Sequence, residues 1–406
     1  MFKASQTSVR SGRVVRQLEG YPAFLPSPLP PDPPLRLEGE LSAIHSEADR
    51  ALGRLDGVIG ILPNPDLFVA MYVRQEAVLS SQIEGTQASL SDVLEYEAAD
   101  DDLEGTGDVA EVVNYVAAMH HGLARLTELS LSLRLIREIH ERLLSDVRGQ
   151  ERQPGEFRSS QNWIGPQNAP LRDAVFIPPP PHEMRAALGE LESFLHDERL
   201  PPLIHAALVH AQFETIHPFL DGNGRVGRLL ITFLLCHRGV LSKPPLYLSH
   251  YLKRHRQEYY DRLQAVRLDG RWEEWLTFFL RGVSEVATEA NETARRILAL
   301  REEHRSALTG QGKASGNLLL ALDALFERPI VTVNKLKDQL GVTFATANKI
   351  VERMEELAIL RETTGNARNR RFSYVPYLAM FHDDKTADTG DDLQSTGSAT
   401  DARPGD

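Results

Sequence analysis

The sequence of 406 residues holds one cysteine, Cys236, so no intrachain disulfide can form. Such sparing use of thiols points to a reducing compartment and a cytoplasmic address. Long apolar runs are missing too: the stretch from Leu229 to Cys236 stops far short of the roughly 18 to 20 residues that span a bilayer, so no membrane contact is expected. Positive charge is not in excess, since 57 acidic against 45 basic residues leave a formal net charge of −12. That balance argues against a chain coated by nucleic acid or anionic lipid, and any basic surface must be local. No GxSxG, Walker A or paired CxxC pattern occurs. What is present is ordinary: 42% hydrophobic and 25% charged residues describe a folded globular chain, and the length suggests two or three domains. Residues 1–18 lack both an acid and an apolar core, which reads as an unstructured lead in preference to a targeting segment.

Prolines 22, 26, 28, 30, 31, 33 and 34 crowd the stretch that follows, so residues 1–39 are expected to form an arm with no hydrogen-bonded ladder over 21–34. Apolar periodicity predicts helices at about 40–57, 65–84, 108–127, 133–147, 183–198, 202–216, 224–238, 253–267 and 271–306, and hence a mainly α body over 40–307. Within it, residues 162–181 combine turn formers with a short apolar stretch, Ala174 to Ile177, halted by four prolines, which predicts a surface β-hairpin able to act as a flap. The polar, glycine-bearing run from Leu308 to Ser315 marks a boundary. Residues 315–381 then read as helix, helix, turn, helix and hairpin, similar to a small winged helix-turn-helix domain. In the tail, 382–406, seven aspartates against Lys385 and Arg403 predict disorder.

The chemistry concentrates between His217 and Arg228, a stretch reading HPFLDGNGRVGR. Gly222 and Gly224 permit backbone angles that let successive N–H groups converge on an anion at a helix N-terminus. Arg225 and Arg228, three apart on that helix, present two guanidinium forks to a polyphosphate. Asp221 is a hard oxygen ligand suited to Mg²⁺, and His217 can take a proton from an attacking hydroxyl. Gly222, Gly224 and Gly227 also satisfy GxGxxG, yet no apolar strand precedes them and no acid follows at the required distance, so a dinucleotide site is excluded. His205 and His210 read as helix-packing residues, not zinc ligands.

This string resembles the Fic-domain signature HPFx(D/E)GNGRxxR at every specified position. The stretches Glu111 to Tyr115, Leu133 to His140, Gly155 to Arg158 and Ile177 to Pro181 are also similar to Fic neighbours, so the likeness covers roughly residues 15 to 300. It implies a helical Fic core that transfers AMP from ATP to a protein hydroxyl, with His217 as base and Asp221 holding Mg²⁺. Asn223 and the amides of the Gly222 to Gly227 segment, Val226 among them, would contact the nearer phosphates, and Arg225 and Arg228 the farther ones. Gly224 stands where phosphorylating relatives tend to carry Lys, which favours adenylylation. The flap would be Phe176, Ile177, Pro178 and Pro179, aligning a target backbone by strand addition. Tyr259 and Tyr260 match a pair lining the adenosine pocket in relatives, with helix core as the default alternative. Arg267 stands where some relatives carry an Asn.

Ser80, Glu84 and Gly85 close the helix expected over 65–85. Ser80 and Glu84 share one helical face, and an acid in a last turn opposes the helix dipole, so Glu84 calls for a cationic partner. The segment resembles the inhibitory motif [S/T]xxxE[G/N] of Fic proteins, which implies that Glu84 pairs with Arg228, displaces the γ-phosphate and makes ATP bind non-productively. Some such relatives use the same glutamate to help remove AMP. The partners implied are a Ser, Thr or Tyr hydroxyl on a target protein or on the chain itself, a second copy as a homodimer, and DNA through the C-terminal unit. There Lys349, Arg353, Arg368, Arg370 and Arg371 are the candidate contacts. The alternative reading is a nucleotide-sensing, DNA-binding transcriptional regulator.

Overall fold

A computed structural model describes residues 8–62, 64–99, 107–165, 170–310, 315–366 and 369–381. The chain opens with a hairpin of β1 (Gly12–Arg16) and β2 (Pro22–Pro26), antiparallel, with Gly12 opposite Pro26 and Arg16 opposite Pro22. Helices α1 (Glu40–Gly60), α2 (Pro65–Ile83), α3 (Leu90–Ala98), α4 (Gly107–Arg125) and α5 (Leu133–Leu143) follow. Next come α6 (Pro181–Leu195), α7 (Pro202–Ile216), α8 (Asn223–His237), α9 (Ser249–Arg254), α10 (Arg256–Asp269) and the long α11 (Trp272–Thr309).

At the centre lie α7 and α8. Every residue from Leu203 to Ile216 is buried, the all-round apolar pattern of a helix enclosed by others. α4 and α5 cover α8, α6, α10 and α11 cover α7, and α1 lies along α11. α2 packs on α4, α8 and α9, which brings its C-terminal end toward the start of α8.

Residues 315–381 form α12 (Ser315–Glu327), β3 (Ile330–Thr332), α13 (Val333–Leu340), α14 (Phe344–Glu356), β4 (Arg361–Glu362) and β5 (Arg371–Ser373), the strands antiparallel in the order β3, β5, β4. Thr332 and Thr343 cap the two middle helices and Gly341, at φ 63°, turns the chain between them. This unit sits on the rest of the protein: α12 packs on α2 and α11, Phe381 meets Tyr72 edge-on at 5.6 Å, and Arg371 pairs with Glu95 at 3.4 Å.

Several expectations are corrected. Residues 12–16, expected as unstructured, form a strand because Arg10 binds Glu273 through both nitrogens of its fork (2.9 and 2.8 Å) and Trp272 Nε1 donates to Arg10 O. The proline-rich stretch does form a ladder. Tyr21 and Ser27 bond toward β1, so alternation turns Pro22, Phe24 and Pro26 the other way, where a missing N–H costs β1 nothing. Phe24 uses its outward N–H on Ile177 O, 2.9 Å away. The flap is a single bridge, Ile164 to Phe176, with a 3-10 turn Leu171–Asp173 in place of a two-stranded hairpin, and Phe176 and Ile177 are buried in place of riding on the surface. The helix expected over 133–147 ends at Leu143, and that over 253–267 is split at His255 into α9 and α10. α3, unexpected, is started by a capping box of Ser89 and Asp92. The expected disorder of 382–406 and the wing residue Arg368 lie outside the described residues.

Candidate active site

α7 stops at His217, which takes a left-handed conformation (φ 51°, ψ 61°), and α8 restarts after Gly222 (φ 75°). Between them the loop is stapled by its own side chains. Asn223 Oδ1 accepts from Phe219 N and Asn223 Nδ2 donates to Phe219 O, both at 2.8 Å, while Asn162 Nδ2 donates to Phe219 O (2.8 Å) and His217 O (3.2 Å). The Asn223 side chain is thus spent inside the loop, leaving its backbone N–H for an anion. His140 supports the loop from α5. Its Nδ1 accepts from Gly155 N–H at 2.9 Å, so Nε2 carries the proton and donates to Asp221 O at 3.0 Å, and the ring stacks on Phe219 at 3.7 Å. Burial lowers the His140 pKa to about 4, which keeps this donor and acceptor arrangement intact at neutral pH.

Of the signature glycines only Gly222 needs the left-handed region. Gly224 lies within α8, and its reason is space: a Cβ there would stand 2.0 Å from Glu84 Oε1. A Cβ on Gly227 would stand 2.5 Å from Glu214 Oε1.

His217 is the residue at which α7 ends. Burial, then the nearby Arg267 and Arg158 guanidinium groups, lower its pKa to about 3, against weaker upward pulls from the Glu214 carbonyl and Glu84. Its imidazole is neutral at pH 7, one nitrogen carrying a proton and the other able to accept one, and Nδ1 is buried with no partner within ordinary hydrogen-bond geometry among the described residues.

The two signature arginines are held differently. Arg225 is buried against Glu111, with Nη1 to Oε2 at 3.2 Å, and Glu111 also binds Arg148 (3.0 Å) and the Thr86 hydroxyl (3.0 Å). Arg228 donates from Nε to Ser80 Oγ (2.8 Å), and from Nη2 to Ser80 O (3.0 Å) and Glu84 Oε1 (2.7 Å). α2 ends for this purpose: Glu84 is its C-cap and Gly85, at φ 101°, turns the chain away. Burial alone would raise the Glu84 carboxyl, but the Arg228 charge and hydrogen bond outweigh it and hold the carboxyl below its ordinary range.

Asp221 keeps an accessible carboxylate, 42% exposed, with Oδ1 accepting from Gly222 N at 2.6 Å. Among the described residues no group of three or more His, Cys, Asp or Glu side chains gathers to hold a metal. A lone carboxylate beside an anion-binding helix start fits Mg²⁺, which takes one or two carboxylates and completes its shell with phosphate oxygens and water. The two tyrosines differ in surroundings: Tyr259 is core, its hydroxyl 2.8 Å from His210 Nε2, whereas Tyr260 is 40% exposed with Arg256 over its ring. His210 Nδ1 donates to Gly227 O (2.9 Å) and His205 Nε2 donates to Phe194 O (2.8 Å), both packing roles.

Sequence reasoning missed the roles of Glu111, His140, Arg158 and Glu76. Glu76 lies one turn before Ser80 on α2 and accepts from Ser249 N (3.0 Å), Ser249 Oγ (2.5 Å) and Tyr115 OH (3.3 Å). Burial raises its carboxyl to about 7. The available signal for Glu76 was its spacing of four from Ser80, which puts it on the same helical face.

Comparison with known proteins agrees with this geometry. Residues 43–124 match the Fic/DOC family N-terminal domain and residues 130–235 the Fic/DOC family domain. The chain therefore carries, over residues 43–235, the paired domains of the Fic/DOC family. It is 35% identical over 161 residues to "Protein adenylyltransferase Fic" from Aedes aegypti and equally so to that from Culex quinquefasciatus, covering 38% of this chain. The match spans 29% of the length of those relatives. A Fic family protein from Desulfovibrio desulfuricans G20 shares the fold, with a TM-score of 0.52 at 18% identity over 84% of this chain and 97% of its own. Among the described residues no helix is long and apolar enough to cross a membrane.

Proposed function

We propose that the chain is a protein adenylyltransferase that moves AMP from ATP to a Ser, Thr or Tyr hydroxyl of a target protein or of itself, and that Glu84 restrains it. The observation that carries this reading is the signature loop itself: His217 ends α7, Gly222 in the left-handed conformation opens α8, and Glu84 occupies the fork of Arg228 on that helix. In the step proposed, the His217 imidazole takes the hydroxyl proton, the hydroxyl oxygen bonds to the α-phosphorus, and the bond from that phosphorus to the bridging oxygen breaks, releasing pyrophosphate. The start of α8 supplies N–H groups and positive potential to the phosphates. Asp221 would hold Mg²⁺, which supplies charge neutralisation to the phosphates when bound. Arg228 is the farther phosphate clamp, and while Glu84 and Ser80 occupy its fork it cannot bind a γ-phosphate. Glu84 removal frees the fork, and the same carboxylate, so close to the phosphate site, is the candidate for assisting AMP removal.

Residues 315–381 have the element order of a winged helix-turn-helix, and contact with protein is the reading we favour for it. On α14, Arg353 pairs with Glu356, and in the wing Arg371 pairs with Glu95, so two of the candidate phosphate contacts are already engaged by acids. The exposed Phe344, 53% accessible at the start of that helix, suits an apolar partner.

The test is AMP transfer from α-labelled ATP with Mg²⁺ to lysate proteins and to the purified chain, comparing wild type, Glu84→Gly and Glu84→Gly/His217→Ala. The expected result is label with Glu84→Gly and none with the double variant. Nucleotide binding without label in any form, together with salt-sensitive DNA retention, would favour the regulator reading.

A further inference from the structure

Two arginines outside the signature loop are buried without a carboxylate in ion-pair range among the described residues. Arg158 is fully buried and donates from Nε to His217 O (3.0 Å), from Nη1 to Ser160 O (3.1 Å), and from Nη2 to Ile216 O (3.5 Å) and to Pro179 O. Arg267, on α10, donates from Nη2 to Glu214 O (3.0 Å) and from Nε to Thr215 Oγ1 (3.3 Å), and its guanidinium lies 4.2 Å from the centre of the Phe176 ring. Burial brings both down to about 10, so both stay charged at neutral pH.

Their shared targets are informative. The last carbonyls of a helix have no donors of their own and carry its negative pole, and here two guanidinium groups fill that need at the end of α7. Each arginine also holds the flap, one through Pro179 O and the other through the Phe176 ring. Arg267 is further fixed from the N-terminal hairpin side, where Ser11 Oγ donates to Arg267 O at 3.1 Å.

We infer that Arg158 and Arg267 are positioning residues that lock the His217 turn to the flap, so that base and target-docking segment move as one body, and that Arg267 is no contact of the nucleotide base. This rests on the reading of His217 as the base. The charged groups acting on His217 are Arg267 and Arg158 on one side of the balance, and Glu84 on the other, where the Glu214 carbonyl joins it. The Glu214 carboxyl faces Arg267 and Arg228, with burial raising it to about 7.

The experiment uses the full chain with Glu84→Gly, adding Arg267→Gln, Arg267→Lys or Arg158→Lys. It reads kcat and KM for ATP from pH 5 to 9 and, separately, the titration of His217 by NMR of ¹⁵N-histidine-labelled protein. For Arg267→Gln, kcat should fall about ten- to hundredfold, the cost of a misplaced reacting group, with KM for ATP within about twofold. The His217 midpoint in the NMR titration should move up from about 3 toward the ordinary value, since a cation that disfavours the imidazolium is gone, and any fall of the rate toward pH 5 should be seen in this variant and not in its parent. Arg267→Lys keeps the charge and loses the fork, so kcat should fall while the midpoint stays low; Arg158→Lys should do the same, and either decides the matter if Arg267→Gln does not fold. A raised KM with unchanged kcat would make Arg267 a nucleotide contact and overturn the inference, as would an unmoved His217 midpoint in Arg267→Gln. Should Glu84→Gly itself transfer no AMP, the enzymatic reading fails, and the NMR titration still decides the clamp.

Discussion

Arg225 and Arg228 stand three residues apart on α8, both only 2% exposed and both paired with a glutamate, yet the two pairs differ in kind. Glu111 is 1% exposed and serves three partners, Arg225, Arg148 and Thr86. Glu84 is 33% exposed, ends a helix and touches Arg228 with one oxygen at 2.7 Å. A carboxylate walled in on all sides is a fixture, since removing it strands a buried charge. On the proposed reading, one at a helix end with an open side can leave, because water reaches it. The difference between fixture and latch therefore lies in the acid's surroundings and not in the arginine.

Deleting each acid in turn separates the two pairs. Glu111→Ala should destabilise the fold by about 3 to 5 kcal/mol, leaving the buried Arg225 with Asp221, 3.7 Å away, as its acidic partner, and a denaturant titration checks it. Glu84→Gly should change stability by no more than about 1 kcal/mol, as for a partly exposed pair, while raising AMP transfer about ten- to a hundredfold. That range corresponds to one charge-assisted bond between the freed Arg228 and phosphate, about 1.5 to 3 kcal/mol. Comparable stability losses in the two variants would mean that Glu84 is a structural residue after all.

A smaller effect separates the two contacts of the latch. Ser80→Ala removes the Nε partner but leaves Ser80 O and Glu84 on Nη2, so activation should be partial, about three- to tenfold in the same transfer assay. Activation equal to that of Glu84→Gly would move the brake from the carboxylate to the hydroxyl.

The latch and the fixture were not equally legible in the sequence. His217 to Arg228 is one contiguous string, so its groups are bound to meet, and Glu84 announces itself as an acid where a helix dipole disfavours one. The Arg225 partner lies 114 residues away on α4, with nothing local to mark it. The same holds for Arg158 and the α7 carbonyls, which become neighbours only through packing. Backbone parity explains the error over the N-terminal arm: seven prolines suggested that no ladder could form, but those inside β2 fall on the row of residues whose N–H faces away from β1. α3 was readable in principle from Ser89 and Asp92, and was hidden by its short length.

Because Arg228 holds the Glu84 carboxyl below its ordinary range, the stabilisation that this pair gives is complete above the ordinary carboxylate pKa and is lost only as pH falls through the lowered folded value. The ratio of Glu84→Gly to wild-type activity should therefore be flat from pH 6 to 9, since His217, lowered to about 3 with Glu84 present and lower still without its upward pull, is neutral across that range in both forms. A ratio that shrinks toward one near pH 6 would show the carboxyl taking up a proton close to neutrality, which the short contact with Arg228 opposes; the latch would then be a pH sensor, and Glu84 would differ from Glu111 in its proton as well as in its exposure.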